Sequence, residues 1–153
     1  MRIIFIGKTD ICRAPMAESI FKKILKIRNF EENIYCTSAG LAKSRDKDEF
    51  KLCKKVCQEI NVDMTSFSPK SINQLKNLED FDLFVAINKT HAYILTQAGI
   101  PEYKIYILKE NIPDPFGKSL EDYRDCRDKM IGALNKFFFE IKSSMKPMCK
   151  INE

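Results

Sequence analysis

Four short apolar runs punctuate the chain: Arg2 to Ile6, Ile34 to Ser38, Asp82 to Ile87 and Lys104 to Leu108. Helical periodicity follows each of them. The run "DLFVAI" is apolar on both faces, as a strand of a parallel sheet covered on both sides must be. Strand alternates with helix, which predicts an α/β sandwich.

The first helix places Met16, Ile20 and Ile24 on one stripe, with Ala17, Phe21 and Leu25 beside it and Pro15 in its first turn. A second helix is expected over Lys47 to Ile60, and a short third one in "SPKSINQLKNL". "NKTHAYILTQAG" reads as a helix closed by Gly99. A long last helix spans Ser119 to Lys142, with Leu120, Tyr123, Ile131, Leu134, Phe138 and Ile141 near one face. "SSMKPMCKINE" has no pattern, so the reading is one domain over 1–143 and a fraying tail over 144–153.

Composition narrows the classes. A chain of 153 residues suits one domain with one compact core, burying roughly 70% of its unfolded surface. With 44% hydrophobic and 31% charged residues, disorder is excluded. "MRIIFI" is too short for a signal-peptide core and no run reaches membrane-spanning length, which predicts a cytoplasmic protein without membrane contact. Six cysteines in such a chain read as reduced thiols. Cys53 and Cys57 lie one helical turn apart, but with His91 the only histidine they do not make a zinc set, and no metal or cofactor is expected. The net charge of +5 comes largely from "FKKILKIRNF" and "KLCKKVC", whose lysines read as a solvated helix face rather than a nucleic-acid surface.

The candidate chemistry lies in "IGKTDICRAP". "GKT" invites a Walker A reading, but that motif needs a Gly five residues before its last Gly, and Arg2 stands there. The alternative is a strand, a tight loop and an Arg at a helix start, which present backbone N–H groups and a guanidinium to an anion. This segment resembles the loop C-x-G-N-x-C-R-S-P of the low-molecular-weight protein tyrosine phosphatases, which opens on the catalytic cysteine. Further segments resemble the same family in order: "CTSAGL", "INVDMTSFSPKSI", "FDLFVAINKTH" and "IPDPFGKSLEDYRD". The resemblance implies a three-layer α/β/α sandwich with a four-stranded parallel sheet.

Residue by residue, the resemblance puts Gly7 at the nucleophile, Thr9 at the family's Gly, Asp10 at its Asn and Ala14 at its Ser. Ile11, Cys12, Arg13 and Pro15 match, and Phe67 replaces a common histidine. It further implies that Asp114 is the general acid, Arg13 clamps the transition state, Lys8 to Arg13 cradle the phosphate and Ser38 supports the loop. Gly7 has no side chain with which to attack. The expectation is therefore a phosphatase homologue that is inactive or severely impaired and retains phosphate or phosphoprotein binding.

One alternative is an active phosphatase using Thr9, Asp10 or Cys12 as nucleophile. Cys12 reads as a small buried thiol, Thr9 lacks a base because His91 falls on a distant helix, and a carboxylate nucleophile generally works with a metal. The other alternative is a basic module for nucleic acid or an acidic partner. Asp10 itself has three readings: it accepts a hydrogen bond from Ser38, it repels phosphate, or it pairs with Arg13 and fills the anion site. On substrate class the cues disagree, Ile11 resembling the tyrosine phosphatases and "DPFGKSLEDY" the arginine-phosphatase branch.

Overall fold

Successive residues of strand β1 (Arg2–Thr9) point to opposite faces of a sheet, and each face has its own apolar cluster. Ile3 and Phe5 join one cluster; Ile4 and Ile6 join the other. The computed structural model describes residues 1–44 and 46–145. Its remaining strands are β2 (Tyr35–Ala42), β3 (Leu83–Ala86) and β4 (Ile105–Ile107). All neighbours are parallel, in the order β2-β1-β3-β4.

Helices α1 (Arg13–Ile27), α2 (Lys47–Gln58) and α4 (Leu120–Ser144) cover the first face through Met16, Phe21, Val56, Phe137 and Phe138. Helix α3 (Lys89–Gln97) covers the other with Ala92 and Leu95. The single core expected from chain length is thus two, because the sheet stands between them. The three-layer α/β/α arrangement with a four-stranded parallel sheet is the one expected.

Three local expectations change. The short helix read in "SPKSINQLKNL" is two 3-10 turns, Ile72–Gln74 and Leu78–Asp80. The first is opened by a capping box between Ser71 and Gln74, and Asn77 at φ 58° separates the two. Helix α2 ends at Gln58, with Asn61 at φ 58° just beyond. Helix α4, capped by Ser119 and Asp122, runs through Ser143 and Ser144, whose hydroxyls donate to the carbonyls of Glu140 and Ile141. The helix thus takes in Ser144, the first residue of the expected tail; residues 146–153 of that tail lie outside the described residues. Gly99, at φ 92°, follows α3 as expected. No described helix is long and apolar enough to cross a membrane.

The strand order positions the site. From β1 the chain crosses to β2 on one side, while β3 lies on the other, so a crevice opens at the carboxyl end of β1. Helix α1 starts there.

Candidate functional site

Strand β1 outlasts its apolar run. It continues past Ile6, with Gly7 paired to Gly40 and Thr9 to Ala42 of β2. Gly40 permits this closeness: a Cβ there would lie 2.6 Å from Thr9 Cα and from the Asp10 amide nitrogen. Gly7, Lys8 and Thr9, expected in a loop, are therefore strand, and the turn is confined to Asp10, Ile11 and Cys12. Helix α1 begins immediately, with no side chain capping its first turn. Its unpaired amides leave positive potential at the mouth.

Arg13 is buried beneath that mouth. Its Nη1 donates to the Ile112 carbonyl at 3.0 Å, and its Nη2 lies 3.7 Å from Asp114 Oδ2. Asp114, on the segment between β4 and α4, is half exposed, and its Oδ1 accepts from the Phe116 amide. A cavity of about 130 Å³ is lined by Gly7, Lys8, Thr9, Cys12, Arg13, Ser44, Asp114 and Phe116. The structure thus brings Arg13 and Asp114 together beside Gly7. A Cβ on Gly7 would stand 3.1 Å from Ala14 Cβ.

Cys12 lines this cavity but is chemically quiet. Its Sγ is 3.2 Å from the Tyr123 hydroxyl, which is hydrogen-bonded in turn to Glu49. Burial pushes the thiol up to about 12, the Asp114 and Glu49 carboxylates add to this, and Tyr123 and Arg13 oppose it without reversing it. At neutral pH the Cys12 thiol therefore stays protonated.

Asp10 turns the other way. Its Oδ2 accepts from the Lys70 amide at 3.0 Å, and its Oδ1 has no hydrogen-bond partner among the described residues. It does not line the Arg13 cavity and does not pair with Arg13, so the reading in which it fills the anion site is set aside. Asp114 is the carboxylate on Arg13. Burial raises Asp10 to about 6, against the lowering pull of the Lys70 amide, the Ser38 hydroxyl and the Lys70 ammonium. The nearby Glu18 carboxylate raises it further. The Ser38 hydroxyl lies near enough to Asp10 to favour its charge, as expected, while its closest hydrogen bond is donated to Glu18 Oε2 at 3.3 Å. Ile11 is packed into the larger core cluster and does not line the cavity.

His91 corrects another expectation. It is buried on α3, within electrostatic reach of Arg13, Asp114 and Lys8, rather than far from the site. Burial, then Arg13, pushes it down to about 4, so its ring is neutral, and Nδ1 has no partner among the described residues. The strand order explains the nearness, since β3 lies directly beside β1 and α3 follows β3. Tyr123, Glu49, Glu18 and Ile112 were missed as site residues. Tyr123 was legible only as a core position of the last helix, and the other three carried no signal in the sequence. Together these groups form a small electropositive recess that can hold an anion, facing one carboxylate and holding no ionised thiol.

Comparison with known proteins places this geometry. The family model for low molecular weight phosphotyrosine protein phosphatase matches residues 2–147. The chain is 28% identical to a protein-arginine-phosphatase of Bacillus subtilis (strain 168), over 95% of this chain and 100% of that one. It is 29% identical to the low molecular weight protein-tyrosine-phosphatase PtpB of Staphylococcus haemolyticus, over 89% and 96% of the two chains. A solved structure of a YwlE mutant from Bacillus subtilis superposes with a TM-score of 0.80 at 27% identity, covering 93% of this chain and 99% of that one. Because the match runs almost from end to end in both sequence and fold, this chain belongs to the low-molecular-weight phosphotyrosine protein phosphatase family.

Proposed function

We propose that this family member binds a phosphate-bearing partner without hydrolysing it. The observation that carries this reading is the lining of the Arg13 cavity. Its one thiol, Cys12, is held protonated against Tyr123, and the position matched to the family's nucleophile is Gly7. Asp10 faces away from the recess, which leaves it no part in attack. Loss of the nucleophile alone costs a covalent enzyme on the order of a million-fold in rate.

What remains is recognition. Arg13, Lys8 and the uncapped start of α1 supply positive charge, and a phosphoryl group takes Asp114's place on the guanidinium. The relatives' names point to phosphotyrosine or phosphoarginine as the bearer. Among the described residues five cysteines are buried and none forms a disulfide, which suits a reducing compartment, so the cytoplasm is the proposed location.

Turnover of p-nitrophenyl phosphate tests the reading. Wild type is expected to hydrolyse at the rate of a protein-free blank, and Gly7→Cys to exceed it at least about ten-fold, since Gly7 lines the cavity and its new Cβ needs Ala14 to give by only a few tenths of an ångström. Robust wild-type turnover that disappears in Arg13→Ala would overturn it.

A further inference from the structure

On the far side of the first turn, between α2 and the segment around Pro69, lies a second and larger cleft of about 480 Å³. Lys43, Lys47, Lys51, Lys54 and Lys70 ring it. None of the five has a carboxylate within ion-pair distance among the described residues, although other lysines of the chain do. Two carboxylates line the same cleft. Asp46 is committed to capping α2 through the Glu49 amide, and Asp10 is buried on the Lys70 amide. The body of the cleft is apolar, formed by Ile11, Phe50 and Pro69. Five ammonium groups without a carboxylate at ion-pair distance, two of them resting over the Phe50 and Phe67 rings, surround an apolar floor, an arrangement completed by an anion carrying an apolar group.

We propose that this cleft docks an acidic peptide segment with an apolar side chain, belonging to a protein partner. Three features select a peptide. Lys47, Lys51 and Lys54 lie on one face of α2 and span about 10 Å, wider than a single phosphate. That span suits carboxylates on alternate residues of an extended chain, spaced about 7 Å apart. Phe50 is not an open stacking platform for a nucleobase, because the Lys54 ammonium lies 5.0 Å from its ring centre and Phe67 packs at 5.5 Å. Finally, Ser44 lines both this cleft and the Arg13 cavity, so an acidic segment here leaves a neighbouring phosphorylated residue within reach of Arg13. The cleft itself does not depend on the phosphate reading.

The test is fluorescence anisotropy with a labelled, unphosphorylated peptide of about ten residues, Asp and Glu around one Leu, against the full chain. Saturable binding is expected, weakened at least ten-fold by Lys47→Glu with Lys51→Glu, both on an exposed helix face. Raising salt from about 0.05 M to about 0.5 M is expected to weaken it by a similar factor. Arg13→Ala is expected to leave it within about two-fold, which separates this cleft from the phosphate site. Circular dichroism of the double variant establishes that it is folded. A flat titration, binding indifferent to the charge reversals, or tighter binding of oligo-dT than of the peptide would overturn the proposal.

Discussion

Asp10 shows what one atom changes at the residue scale. Its carboxyl is almost wholly buried, with one oxygen on the Lys70 amide and the other without a partner. Burial raises it from 3.8 to about 6, so the folded chain binds this proton more tightly than the unfolded chain does. The contribution is fully present below about pH 4 and is lost as pH rises through 6, a swing of about 3 kcal/mol. The surface carboxylates Glu59 and Glu140, lowered by hydrogen bonds from Arg124 and Lys109, act in the opposite sense. The measurable quantity is therefore the difference between variants. Asp10→Asn keeps an acceptor for Lys70 and replaces the orphan oxygen with a donor. It is expected to gain 1 to 3 kcal/mol over wild type at pH 7, by order of magnitude about the cost of one buried unsatisfied group, and almost nothing at pH 4. Urea melts at both values check this. An equal gain at both would mean that ionisation of Asp10 does not set its cost.

At the scale of elements, the deciding feature is the tight pairing of β1 with β2 beyond Ile6. Gly40 faces the backbone of Thr9 and Asp10 at a distance that admits no side chain. Gly40→Ala must push the turn away from the sheet. A loss of about 3 kcal/mol is expected, which lowers the melting temperature by roughly 6 to 12 °C for a domain of this size. Amide shifts of residues 9–13 are expected to move with it; an unchanged melt would show that the turn yields freely. This pairing is also the part of β1 that side-chain pattern does not encode. Runs such as "DLFVAI" announced their strands because burial on both faces leaves no polar residue in them. Gly7 to Thr9 are strand through backbone contact with β2, which leaves no trace in side-chain pattern. Arg13 and Asp114 were legible because their neighbours resemble a family's motifs. The direction of Asp10, the Cys12–Tyr123 contact and the nearness of His91 depend on which elements the sheet order sets side by side.

Over the whole molecule, the candidate anion site joins parts that are distant in sequence. Arg13 opens α1, Lys8 and Thr9 end β1, and Ile112 and Asp114 lie on the segment leading from β4 to α4. The unfolded chain has no such assembly, so an anion bound here stabilises the entire fold by mass action. Inorganic phosphate at ten times its dissociation constant contributes about 1.4 kcal/mol, or roughly 3 to 6 °C in melting temperature. The Asp114 carboxylate competes for the same guanidinium at 3.7 Å, and a half-exposed pair of this kind is worth at most about 1 kcal/mol. Asp114→Ala is therefore expected to bind phosphate up to about five-fold more tightly and to show a larger phosphate-induced rise in melting temperature than wild type, from a free protein less stable by about the same 1 kcal/mol. Arg13→Ala is expected to lose the phosphate-dependent shift while keeping whatever shift an equal ionic strength of chloride produces. If the phosphate shift survives in Arg13→Ala, the anion binds elsewhere, and the recess beside Gly7 loses its part in recognition. If it vanishes there and grows in Asp114→Ala, the carboxylate seated on Arg13 is the group that a phosphorylated partner must displace.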